Sequence, residues 1–240
     1  MKKITILFTI LCFTFLNQTQ AQFASYSFDT DASDAINGYY PNTYGDANYI
    51  SDGDHSVIEL EGDEFLNFPS EMSSNINSQE EFMYNIRFKI VDNYTTNPYN
   101  GETVDEGRRV LVSNKYDSRP ALGFDLHYGD WGGYQLMATY GDNKSEGQLD
   151  WITPLEIGVW YDVTVKMFFN VPKPYIQYTI NGNVSISFFS DSHVDLETFK
   201  SSLDNQSIWV GTDKYNTMSN GETGVYAKVN IDKLSFYDAV

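Results

Sequence analysis

The chain has 240 residues and a formal charge of −18, with 15 Lys and Arg against 33 Asp and Glu. So acidic a surface repels nucleic acid, anionic lipid and polyuronate or sulfated glycans unless a cation bridges them. Nucleic-acid binding is excluded, and the remaining classes are a neutral ligand, a divalent cation, or charge that serves solubility alone.

Met1 to Ala21 has two lysines, an apolar run from Ile4 to Leu16, a polar stretch and a small residue at Ala21. That is the layout of a secretory signal peptide, with cleavage between Ala21 and Gln22. Its lysine-led style suggests a bacterial source. The apolar run is too short for a membrane span, and nothing later could serve as one. Cys12, the only cysteine, lies inside the run behind bulky Leu11, which argues against lipid attachment. Removing Lys2 and Lys3 takes the charge from −18 to −20. The mature chain, 22–240, is therefore expected to be exported, periplasmic or extracellular, and free of disulfides, so that its stability rests on core size or metal. Its length suits one large β-domain.

Candidate strands follow at Phe23–Phe28, Ser56–Glu61, Glu64–Phe68, Glu81–Val91, Arg108–Asn114, Ala121–Tyr128 and Tyr134–Tyr140. Five more lie at Trp160–Phe169, Tyr175–Ile180, Val184–Phe189, Ser207–Gly211 and Val225–Tyr237. In the first of these five, Asp162, Thr164 and Lys166 alternate with Val163, Val165 and Met167, which gives one wet and one dry face. Asn181-Gly182 then separates two alternating runs, the strongest short-range hairpin signal, because a type I′ turn needs positive φ at both central residues. Val194 to Leu203 reads as a short helix, with Leu196, Phe199 and Leu203 at spacings of three and four. Asn97–Gly107, Gly129–Gly133 and Gly141–Gly147 are turn-rich. The predicted fold is all-β, a two-sheet antiparallel jelly-roll sandwich. The last strand ends at Tyr237, which leaves no room for an anchoring domain after it.

Several local patterns recur in a telling order. Tyr26-Ser-Phe28-Asp29 precedes Asp34-Ala-Ile-Asn-Gly38, and SVIELEGDEFLNFP (Ser56 to Pro69) follows. Then come Trp160 with its strand, the YIQYTINGNV hairpin, and Val229-Asn-Ile-Asp232-Lys-Leu-Ser-Phe-Tyr-Asp238. Over nearly all of the mature chain this resembles the concanavalin A-like lectin/glucanase superfamily, in its laminin-G-like jelly-roll branch. The resemblance implies a curved sandwich whose concave face and rim loops hold carbohydrate, and it leaves function broad.

Two catalytic readings were weighed. Glucanases of that superfamily place acids at i, i+2 and i+4 on one strand; here Glu59, Glu61 and Asp63 come nearest, and a retaining reaction needs two carboxylates about 5 Å apart. Gly62-Asp63 reads as a turn, however, and the resemblance implies a register that puts Val57, Ile58 and Leu60 around the core and leaves the acids in solvent. A polysaccharide lyase needs a charge neutraliser and a Tyr or His base. Arg87, His127 and Tyr128 have those chemistries, but the paired-arginine and Gln-x-His strands of alginate lyases are missing and an acidic chain suits uronates badly. No nucleophile motif or phosphate loop is present, and three scattered histidines make a poor zinc site.

The resemblance also implies a structural calcium that ties the first strand region to the last, with Asp34 and Asp232 as ligands and Asp29 as a third. The alternative is that Asp34 caps a turn and Asp232 faces water. For a sugar site the choice is the section from Gly123 to Tyr134, where Asp125, Tyr128, Asp130, Trp131 and Tyr134 surround a glycine-rich turn. Trp131 between turn formers is hard to bury, and an exposed Trp is informative. Tyr140, Asp142, Asn143 and Trp151 extend the same rim, and Tyr94, Tyr99 and Asn100 make a lesser second cluster. Trp160 and Trp209 read as core. The sequence thus points to an exported, non-catalytic module that binds neutral carbohydrate, with calcium as its one candidate cofactor. A protein-binding adhesion or envelope module is the rival, and a glycoside hydrolase or lyase with a degenerate motif the third.

Overall fold

The computed structural model describes residues 21–61, 64–77, 81–91, 95–96, 103–104, 107–113, 123–129, 133–142, 145–148, 155–168, 175–188, 207–211 and 228–238. In chain order the first elements are β1 (Gln22–Tyr26), β2 (Asn42–Tyr44), β3 (Asn48–Asp52), β4 (His55–Glu61), β5 (Phe65–Asn67), helix α1 (Ser70–Asn77) and β6 (Glu81–Ile90). The middle of the chain forms β7 (Thr95–Thr96), β8 (Thr103–Val104), β9 (Gly107–Ser113), β10 (Gly123–Gly129), β11 (Gly133–Asp142) and β12 (Ser145–Gln148). It ends in β13 (Trp160–Phe168), β14 (Tyr175–Ile180), β15 (Asn183–Phe188), β16 (Trp209–Val210) and β17 (Lys228–Asp238).

These strands make two antiparallel sheets, the jelly-roll sandwich expected from the alternation. The eight-stranded sheet runs β15-β14-β13-β6-β17-β4-β3, with β1 also paired to β17; the seven-stranded sheet runs β12-β11-β10-β9-β16-β5-β2. β17 has room for both β1 and β4 because its first residues pair β4 and its last pair β1. A register shift between Ile231 and Lys233 marks a bulge where Asp232 stands. The Asn181-Gly182 turn forms as read, with φ of 47° and 84°, and joins β14 to β15 in a two-residue hairpin.

The dry faces meet in one aromatic-rich core. Tyr26 packs edge-on to Phe68 at 5.0 Å, and Phe236 lies within 6.2 Å of Phe82 and 6.0 Å of Phe68. Each fully buried ring of this kind contributes about 1.5–3 kcal/mol through apolar burial, the resource available to a chain with a single cysteine. Val57, Ile58 and Leu60 are buried, as expected.

Two differences from the sequence reading have clear causes. β2 and β3 are short, exposed and rich in Tyr and Asn, so they carry no apolar alternation. Helix α1, SEMSSNIN, has too few apolar residues to show a helical period, and buries Met72. The expected helix at Val194–Leu203 lies outside the described residues. Among the described residues no helix is long and apolar enough to cross a membrane.

Candidate functional site

The wet face of the eight-stranded sheet carries the densest array of polar and aromatic side chains among the described residues. Alternation along β6 buries Phe82, Tyr84, Ile86, Phe88 and Ile90 and leaves Asn85, Arg87 and Lys89 partly exposed on the other side. Along β13 the same rule buries Tyr161, Val163, Val165 and Met167, so Trp160 shares the outer face with Asp162, Thr164 and Lys166. Register then aligns one row across five strands, in which Asn48 faces Glu59, Glu59 faces Asn230, Asn230 faces Lys89 and Lys89 faces Trp160.

Trp160 is the centre of this array and a correction to its core reading. Its ring has the Arg87 guanidinium at 5.5 Å and the Lys89 ammonium at 5.3 Å from the centroid, both within cation–π range. The His55 ring lies 5.8 Å away at 58°. Each cation is tied to a carboxylate. Arg87 Nη1 meets Asp232 Oδ2 at 3.2 Å, and Lys89 is paired with Asp52, which also accepts from Asn230 Nδ2 at 2.6 Å. Two cations and two anions therefore cancel within a chain of −18.

His55 completes the network. Arg87 Nη2 can only donate, so His55 Nε2 accepts at 3.2 Å. Nδ1, on the other side of the ring, faces Asp232 Oδ2 at 3.4 Å. Beside it, Asn85 Nδ2 donates to Asp162 Oδ1 at 2.6 Å and to Thr164 Oγ1 at 3.1 Å. Asp162 is held at the backbone as well, since its N–H donates to Asn181 Oδ1 at 2.8 Å. The Lys89 hydrogen bond holds the Asp52 carboxyl below the usual carboxylate range. Glu59 moves the other way, raised first by desolvation and then by Glu61 and Asp52. The result is a set of donors and acceptors fixed on strands around an indole, the kind of rigid polar platform that binds without reorganising.

The carboxylates expected to hold calcium have other partners. Asp34 is buried, and its Oδ1 accepts from the N–H groups of Ser25 at 2.8 Å and Ile36 at 3.0 Å. Its Oδ2 accepts from Asn37 at 2.8 Å and Tyr39 at 3.3 Å. A carboxylate has about four lone-pair sites, and all are taken, so Asp34 braces the turn after β1. Asp232 is occupied by Arg87 and His55, and Asp29 is exposed. Among the described residues no three His, Cys, Asp or Glu side chains gather as a metal set. These residues do not fit a calcium that ties Asp34 to Asp232.

The expected sugar rim is placed only in part. Asp125 and Tyr128 stand on β10 and Tyr134 and Tyr140 on β11, with Tyr128 directly opposite Tyr134 and Asp125 opposite Met137. Gly129 and Gly133 are the last described pair of this hairpin, and the residues between them lie outside the described residues. Asp130, Trp131 and Trp151 lie outside the described residues, as do Asn143, Tyr94, Tyr99, Asn100 and Asp63. Trp209 is buried, in a small cluster with Phe65 that is separate from the main core. The outer platform was missed although its signal was present, since Trp160 has the parity of Asp162, Thr164 and Lys166.

No family model and no curated protein sequence matches the chain. Solved structures do. The receptor-binding domain of botulinum neurotoxin mosaic serotype C/D superposes with a TM-score of 0.59 at 14% identity, over 92% of this chain and 48% of that one. Trypanosoma rangeli sialidase, solved with sialic acid, gives 0.53 at 10% identity, over 89% and 30%. The enzymatically active domain of bacteriophage CBA120 tailspike protein 2 gives 0.52 at 12%, over 83% and 29%. The chain thus spans less than half the length of each. At such identities the likeness is one of fold, a two-sheet jelly-roll sandwich of the kind embedded in much larger proteins.

Proposed function

We propose that this protein is an exported, lectin-like module that binds neutral carbohydrate without catalysis, on the outer face of the eight-stranded sheet around Trp160. The observation that carries the reading is the charge-balanced network itself. Trp160 offers an apolar surface to sugar C–H groups, and the paired Arg87–Asp232 and Lys89–Asp52 groups offer fixed donors and acceptors to hydroxyls. Cancellation within each of these two pairs suits an uncharged ligand, which the acidic remainder of the chain does not repel. One neighbour of the same fold, a sialidase matched over 30% of its chain, was solved with sialic acid. The leader sequence supports export, and the rim around Trp131 is the other location open to the same ligand.

The test is retention on polysaccharide affinity gels, run with calcium and with chelator, for the protein and its Trp160→Ala and Trp131→Ala variants. Retention by a neutral glycan that is lost in Trp160→Ala, with circular dichroism unchanged, supports the reading. Loss in Trp131→Ala alone moves the site to the rim. Silence on every glycan removes the sugar reading altogether.

A further inference from the structure

The segment from Ile36 to Tyr49 runs along the flank where both sheets end. Among the described residues β2 is the terminal strand of the seven-stranded sheet and β3 that of the eight-stranded sheet, each paired there on one side only. Four large apolar side chains are exposed here within fourteen residues: Ile36, Tyr40, Tyr44 and Tyr49, with Tyr40 at 65%. Two of the four, Tyr44 and Tyr49, have partners. Tyr44 stacks on Phe65 at 4.5 Å and 14°, and Phe65 leans on Trp209 at 5.4 Å. Thr43 of β2 and Asp31 lie near the Tyr49 hydroxyl. The loop that leads in is anchored where Tyr39 accepts from Tyr26 through its carbonyl and from Asn75 through its hydroxyl, both at 2.8 Å.

The charge along this flank has one sign. From Asp29 to Asp54 the chain has six aspartates and no lysine, arginine or histidine. Asp34 is buried and Asp52 is paired with Lys89, whereas Asp29, Asp31, Asp46 and Asp54 are exposed. Exposed sheet edges are commonly guarded by lysine, and this one has none. Rigid tyrosine rings are attractive to ammonium and guanidinium groups, and they supply contact area at low entropic cost. A second copy of the chain would bring like charge against like.

We infer that the β2–β3 flank is a docking surface for an extended, lysine- or arginine-bearing segment of another protein. The segment would add to the free edge of β3 or β2 through main-chain hydrogen bonds, with its cations over Tyr40 and Tyr44 and against Asp46. This surface lies apart from Trp160, and its fate does not depend on the sugar reading.

The probe is a synthetic strand-length peptide of alternating lysine and valine, with a glutamate-for-lysine counterpart as control, read by fluorescence anisotropy in near-physiological salt. The lysine peptide is expected to bind and the glutamate peptide not. Affinity should fall about tenfold or more in Tyr40→Ala/Tyr44→Ala, the scale of losing hot-spot rings, and several-fold in Asp46→Asn. Glu71→Gln, which removes an exposed acid on α1, should leave it unchanged. Equal weakening in Glu71→Gln, or no effect of the tyrosine change, reduces the attraction to diffuse charge and overturns the inference. A concentration-dependent dimer abolished by the tyrosine change would overturn it in favour of a second copy. Glycan retention abolished by it would overturn it in favour of sugar.

Discussion

Arg87 sits 5.5 Å from the centroid of the Trp160 indole and, through Nη1, 3.2 Å from Asp232. One guanidinium thus joins β13 to the bulge in β17, and it lies on β6, the strand between them. This joint makes the outer face a fixed surface rather than a set of independent solvated side chains. It also requires that Trp160 be replaceable without unfolding, because the indole lies outside the core.

Asp34 is expected to matter for stability far more than a surface aspartate. Asp34→Ala leaves four backbone N–H groups without their acceptor, at a cost of about 2–4 kcal/mol. The urea midpoint should drop with little change in slope. Because the carboxylate is filled by amides, chelator should leave the midpoint of the unaltered protein where it was. A drop on chelation would restore the calcium reading.

Glu59 and Asp52 should respond to pH in opposite senses. The Glu59 carboxyl is raised in the folded state, so its favourable contribution exists at low pH and is lost as pH rises through the folded value. Glu59→Gln should therefore stabilise the protein at pH 7, by about 0.5 kcal/mol for a partly exposed charge. That gain should vanish below pH ~4, near the ordinary glutamate value. Asp52 is lowered, so its contribution is present above the ordinary aspartate value and is lost as pH falls through the folded one. Asp52→Asn should cost stability at pH 7 and little in strong acid. Thermal melts from about pH 2.5 to about pH 8, a range that brackets the ordinary carboxylate values, check both signs.

Two glycines with similar φ should differ sharply when changed to alanine. At Gly211, φ is +90°, and a Cβ would come within 2.8 Å of Leu60 Cδ1 and 3.1 Å of the Glu64 carbonyl. Gly182 has φ of +84° but open space around it. Gly182→Ala should cost about 1 kcal/mol in backbone strain alone. Gly211→Ala should cost about 2–4 kcal/mol, since overpacking adds to strain. Equal melting temperatures would show that the Leu60 contact relaxes freely.

Much of the fold was legible because burial on one face writes period-two alternation directly into the chain, as in Val163, Val165 and Met167 against Asp162, Thr164 and Lys166. The Asn181-Gly182 turn was legible because few residue pairs accept its backbone. β2 and β3 were not, because strands exposed at a sheet edge need no apolar period. The platform around Trp160 was hidden by a habit of reading large aromatic residues as core, although parity placed this one outside. The pairing of Asp232 with Arg87, 145 positions earlier in the sequence, depends on strand order, which no local pattern encodes. Asp34 was read as a calcium ligand or as a turn cap; its four donors are Ser25 in β1 and Ile36, Asn37 and Tyr39 after it, and only the folded chain brings Ser25 to the other three.

The measurement that bears most directly on the central claim is a calorimetric titration with the neutral glycan that the protein retains, comparing the unaltered chain with Trp160→Ala and Arg87→Lys. Binding that vanishes in Trp160→Ala and weakens in Arg87→Lys, with melting temperatures close to that of the unaltered chain, is the expected result. Undiminished binding in both variants would show that the outer face of the eight-stranded sheet is not where the sugar binds.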